Sequence, residues 1–99
     1  MPLSCKDLLQ MAVKALDPTI HFMGVETALL HGQHALFFPD AEDEAACLVH
    51  FDLAACCGSG SDARRFERLV TFILLEARKA KVLAAGQDVA AMLSSLSVD

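Results

Sequence analysis

The sequence predicts an α+β fold: an N-terminal helix, a three-stranded antiparallel meander, a long helix and a short C-terminal helix. Three observations carry this expectation. From Ser61 onward, apolar residues recur every three or four positions, which is the period of a helix. From Ala45 to Ala55 they recur at every second position, which is the period of a strand. With 99 residues, the chain is long enough for one core and too short for two, so residues 1–99 form a single domain.

The first helix is expected over Ser4 to Leu16. Ser4 is its N-cap, and Asp7 sits near the positive end of the helix dipole. Cys5, Leu8, Leu9, Ala12, Val13 and Leu16 make its buried face. Asp17-Pro18 ends it, because the residue before a proline avoids the α region. Thr19 to Leu30 reads as a strand interrupted by Gly24, and Gln33 to Phe38 as a second. Leu30-His31-Gly32-Gln33 forms the corner between them, with Gly32 free to take a positive φ. Pro39 stops the pairing, and Asp40 to Glu44 is an acidic loop. In the third strand, Ala45 to Ala55, Cys47, Val49, Phe51 and Leu53 face the core while Leu48, His50 and Asp52 face outward. A loop follows from Cys56 to Gly60.

The long helix holds the most informative pattern. Phe66, Leu69, Val70, Ile73, Ala77, Ala80 and Ala84 share one face. Phe72, Leu75, Val82 and Leu83 lie off that stripe, with Leu75 pointing almost directly away. Large apolar side chains on the outer side of a helix call for a second cover, so these four residues are expected at a dimer interface. Gly86 is the expected helix stop. Gln87 to Leu96, with Val89, Met92, Leu93 and Leu96, is the expected final helix.

Composition narrows the function classes. Hydrophobic residues make up 55% of the chain, above the usual share for a soluble domain, and a small interior cannot hide them all. Association is the expected outlet. The net charge of −5 argues against nucleic acid and against anionic membrane surfaces as partners. No apolar run approaches bilayer length. The segment MPLSCKDLLQMAVKALD is amphipathic and charged, unlike a secretory signal. The expected setting is the cytoplasm, with all four cysteines reduced.

Several residue sets carry groups that chemical sites use. His31 and His34 bracket a turn, and His50, Cys56 or Cys57 would extend a metal-ligand set. The spacing matches neither HExxH nor a zinc finger, and solvated turn histidines are the simpler reading. Cys56-Cys57 is not a CxxC redox motif and reads as small soft packing. His50 and Asp52 project in parallel from one strand face, with no nucleophile beside them. The acidic loop Asp40, Glu42, Asp43 and Glu44 lacks calcium-loop spacing. Gly58-Ser59-Gly60 lacks the lysine of a phosphate loop. Arg64, Arg65 and Arg68 form a small basic patch. No catalytic residue, cofactor or metal is expected.

The segment ALFFPDAEDEAACLVHFDLAACCGSGSDARRFERLVTFILLEARKA resembles the C-terminal part of class I, Tir-chaperone-type, type III secretion chaperones. The family pattern D-x-x-x-F-x-x-L-x-x-F-x-x-x-A corresponds to Asp62, Phe66, Leu69, Phe72 and, one step displaced, Ala77. The resemblance implies a small acidic cytosolic homodimer whose long helix joins the dimer contact. Its exposed apolar patches would hold an extended segment of a secreted effector. The expected function is therefore that of a dimeric chaperone or adaptor binding a segment of another protein. The alternative is a non-catalytic structural or regulatory subunit of a heterocomplex. A third reading is a metal-dependent enzyme using His31, His34 and a cysteine.

Overall fold

A computed structural model describes residues 2–16, 26–30, 33–38, 41–43 and 47–81. For residues 26–30 the description covers the backbone alone. Mixed helix and sheet give an α+β chain. The elements run α1 (Cys5–Leu16), β1 (Glu26–Leu30), β2 (Gln33–Phe37), β3 (Leu48–Phe51), α2 (Leu53–Cys57) and α3 (Asp62–Lys79).

Helix α1 begins where a cap stands ready. The Ser4 hydroxyl accepts from the Asp7 amide at 3.1 Å, satisfying one of the amides that a helix start leaves unpaired. Leu8, Leu9, Ala12 and Leu16 are buried, and Cys5 and Val13 are partly so. Helix α3 starts in the same way, with the Ser61 hydroxyl accepting from the Arg64 amide at 3.2 Å. Phe66, Leu69, Val70, Ile73, Leu74 and Ala77 form its buried face. Leu74 widens the stripe beyond the expected one; it lies four residues after Val70 and three before Ala77, so the same helical spacing includes it.

The long helix stops earlier than expected. Lys81 takes a φ of 60°, a left-handed turn that ends helical hydrogen bonding. The Ala80 amide donates to the Glu76 carbonyl at 2.9 Å, and Lys81 to Arg78 at 3.1 Å. Arg78 and Lys79 in the last turn complement the negative end of the dipole. Gly86, Val82, Leu83, Ala84 and the expected C-terminal helix lie outside the described residues, as do Asp17-Pro18, the 19–25 segment, His31-Gly32 and Pro39.

The strands pair antiparallel in the order β1-β2-β3. Glu26 faces Phe37 and Leu30 faces Gln33 across the first pair; His34 faces Phe51 and Phe37 faces Leu48 across the second. The third strand is shorter than its alternation predicts, ending at Phe51 rather than at Ala55. Asp52 ends it by capping a helix: its carboxylate accepts from the Ala55 amide at 3.3 Å. Leu53 is therefore buried as the first residue of α2, and Cys56 and Cys57 lie in that helix and not in a loop. Gly58 closes α2 with φ 70° and ψ −156°, its amide donating to the Ala54 carbonyl at 2.9 Å.

One core joins these elements. Leu36 and Phe38 from the sheet side, Leu8, Leu9, Ala12 and Leu16 from α1, and Leu53 and Cys57 from α2 close over the buried face of α3. Each large side chain so buried contributes about 1.5–3 kcal/mol. Val49, Phe51 and Phe72 seal the margin of this core. No buried side-chain polar atom lacks a partner among the described residues.

Candidate functional site

Three places on this frame were candidates for function. The first is the outer side of α3. Leu75 is 42% exposed, as the helical spacing requires of a residue opposite the core stripe. Phe72 behaves differently. Its ring packs on Phe51 with centroids 5.1 Å apart and planes tilted by 43°. β3 of the same chain thus covers one side of the Phe72 ring. The remaining side is partly open. Phe72 and Leu75, with Cys56, Arg64, Glu67, Arg68 and Thr71, line a hollow of about 600 Å³. The hollow opens widely, so it suits side chains of a docking chain better than an enclosed small molecule.

The second place is the end of the sheet at His34 and His50. A shallow hollow of about 350 Å³ is lined by Gln33, His34, His50, Phe51, Asp52 and Leu53. His34 lies 6.0 Å from the Phe51 ring, centroid to centroid. His50 is exposed on the neighbouring strand. Asp52 is committed to capping α2, so its carboxylate does not orient His50. Among the described residues, no three His, Cys, Asp or Glu side chains gather as a metal site; His31 lies outside them.

The third place was missed in the sequence. All four cysteines are free thiols, and the fold brings two of them together. Cys5, in the first turn of α1, packs against the core cluster in which Cys57, at the end of α2, is buried, and each thiol bears on the other's titration. Arg65 of α3 completes the group: its Nη2 donates to the Cys5 sulfur at 3.2 Å. Its Nη1 donates to the Leu3 carbonyl at 2.8 Å and to the Asp62 carboxylate at 3.2 Å. The Leu3 amide donates in turn to both Asp62 oxygens at 3.3 Å.

This geometry sets the thiols apart from one another. The Cys5 thiol is held below its ordinary range, first by the neighbouring Cys57 thiol and then by the Arg65 guanidinium. Burial pushes the Cys57 thiol up, and the adjacent Cys5 pushes it further. Cys56 is also pushed up, by burial and then by the Asp52 and Glu76 carboxylates. Cys47 donates to the Ala41 and Asp43 carbonyls at 3.5 and 3.6 Å.

The basic patch read from the sequence is in fact divided. Arg65 serves the Cys5 group, while Arg68 turns back on α2 and donates to the Cys57 carbonyl at 3.3 Å and to the Ser59 carbonyl. Arg64 lines the α3 hollow. All five positions that carry the chaperone resemblance also have local duties, Phe72 through its packing on Phe51. Phe66, Leu69 and Ala77 are buried in the core, and Asp62 holds Leu3 and Arg65.

No helix among the described residues is long and apolar enough to cross a membrane. No protein-family model, no curated protein and no solved structure matches the chain.

Proposed function

We propose that the protein is a small, non-catalytic, homodimeric adaptor of chaperone type, cytoplasmic, that holds a segment of another protein. The observation that carries this reading is Leu75, large, apolar and exposed at the lip of an open hollow on α3. Covering such a side chain contributes about 1.5–3 kcal/mol per chain. Arg64 and Glu67 beside it give the rim both signs of charge. A second copy rotated about a twofold can meet each with its opposite, as a self-complementary contact requires.

The bound segment is proposed to lie along the sheet. Among the described residues, the outer side of β3 pairs with no strand. Backbone groups along such an edge accept an added strand, and apolar side chains beside it supply selectivity. The resemblance carried by Asp62, Phe66, Leu69, Phe72 and Ala77 makes an extended effector segment from type III secretion the first ligand class to try.

The test is the mass of the protein in solution. Light scattering at micromolar concentration is expected to give a dimer. Leu75→Glu is expected to give a monomer with an unchanged circular dichroism spectrum. A wild-type monomer, or a Leu75→Glu dimer, would refute the reading. A wild-type protein that precipitates when expressed alone would favour the fixed subunit of a heterocomplex instead.

A further inference from the structure

We propose that Cys5 and Cys57 form a peroxide-reactive dithiol site, in which Cys5 attacks a small hydroperoxide and Cys57 then closes a disulfide with it. The argument starts from the different positions of the two sulfurs. Cys5 is partly exposed, whereas Cys57 is fully buried. A small oxidant in solvent therefore reaches Cys5 first. Cys57 meets only what Cys5 presents to it from the inner side.

The surroundings favour the thiolate on the outer sulfur. Arg65 Nη2 stands 3.2 Å from Cys5 Sγ. Arg65 is itself anchored, by the Leu3 carbonyl and the Asp62 carboxylate, so it is placed before any reagent arrives. Cys5 also occupies the first position of α1, where the helix dipole stabilises negative charge. The carboxylate in this group is Asp62, and it bears on Arg65 and the Leu3 amide. Depression of the Cys5 thiol and elevation of the Cys57 thiol agree with this division of roles.

The chemistry balances without any other reagent. The Cys5 thiolate attacks one peroxide oxygen, an S–O bond forms and the O–O bond breaks. The departing hydroxide or alkoxide takes up a proton. Cys5 is then a sulfenic acid. The Cys57 sulfur loses its proton and attacks Cys5 sulfur; an S–S bond forms, the S–O bond breaks and water leaves. Two thiols have given up two electrons and two protons, and the hydroperoxide has become water plus water or an alcohol. The new bond ties the start of α1 to the end of α2, and it removes the sulfur anion that Arg65 faces. The same bond is undone by thiol–disulfide exchange with a small thiol reductant.

The experiment treats the fully reduced wild-type protein with limiting hydrogen peroxide and maps its peptides without reduction. The expected first product is the Cys5–Cys57 disulfide. In Cys57→Ala, Cys5 is expected to accumulate as a sulfenic acid trapped by a 1,3-diketone. Arg65→Gln should slow oxidation of Cys5, and Arg65→Lys should restore part of the rate. As a control that needs no variant, iodoacetamide at neutral pH should alkylate Cys5 faster than Cys56, because the thiolate is the reacting form. First oxidation at Cys47 or Cys56, a Cys5–Cys56 link, or equal alkylation of Cys5 and Cys56 would overturn the proposal.

Discussion

Replacing Gly58 by alanine tests the junction on which α2, α3 and the buried Cys57 all depend. Gly58 sits at φ 70° and ψ −156°, a region that side-chain-bearing residues occupy at a cost of about 1–3 kcal/mol. An added Cβ would stand 2.7 Å from Arg68 Nη1 and 3.3 Å from its Cζ. Arg68 would swing away and leave the Cys57 and Ser59 carbonyls that it now serves, a loss of about 1 kcal/mol. Alanine also restricts the unfolded chain, which returns about 0.4–1 kcal/mol. The net expectation is a destabilisation of about 2 kcal/mol, summed from these strain, hydrogen-bond and unfolded-state effects. Urea unfolding followed by far-ultraviolet circular dichroism is the assay, since the chain has no tryptophan or tyrosine to report by fluorescence. A double-mutant cycle separates the two causes. In an Arg68→Ala background, Gly58→Ala should cost only its backbone strain and be milder than in the wild type. A Gly58→Ala protein within about 0.5 kcal/mol of wild type would refute the capping geometry, because surface changes without a mechanism fall in that range. An identical cost in both backgrounds would refute the contact with Arg68.

Two further outcomes follow from burial and capping. Ile73→Ala, at a fully buried position, should cost about 2–5 kcal/mol in the same urea assay. Phe72→Ala, where the ring is covered on one side by Phe51, should cost clearly less than Ile73→Ala; the reverse order would place Phe72 deeper than described. Ser61→Ala and Asp52→Ala should each cost about 1 kcal/mol, since each removes the side-chain acceptor of a helix start. No change in the urea midpoint of either would mean that its cap is not formed in solution.

The helices were readable where two independent signals coincided. Ser4 and Ser61 announced starts, and the apolar spacing behind each confirmed a buried face. The third strand was overextended because alternation cannot distinguish where it ends. Leu53 occupies a core position whether it continues the strand or opens a helix. The discriminating signal was local and present: Asp52 stands three residues before Ala55, in a run of small helix-tolerant residues, and its carboxylate has an amide to cap. The end of α3 had no such signal. Lysine seldom adopts a positive φ, so nothing at Lys81 marked a stop. Leu75 was legible from spacing alone, whereas the cover on Phe72 was not. That cover depends on where β3 lies across the helix. The Cys5, Cys57 and Arg65 group was invisible for a stronger reason. Its members come from three helices, and no spacing rule relates residues that only tertiary packing brings together.

The tie between Leu3 and the Asp62–Arg65 pair bears on how the chain reaches its native state. Those hydrogen bonds join residues 59 and 62 positions apart, so they close far longer loops than the pairings within the sheet. By contrast, the β2–β3 pairing and the α2 cap form between near neighbours in sequence. Loop-closure entropy therefore opposes docking of the first helix until the rest can receive it. The meeting of α1 with α3 is then a late event on the folding path, and weakening the Asp62 anchor should hasten unfolding while leaving the refolding rate nearly unchanged.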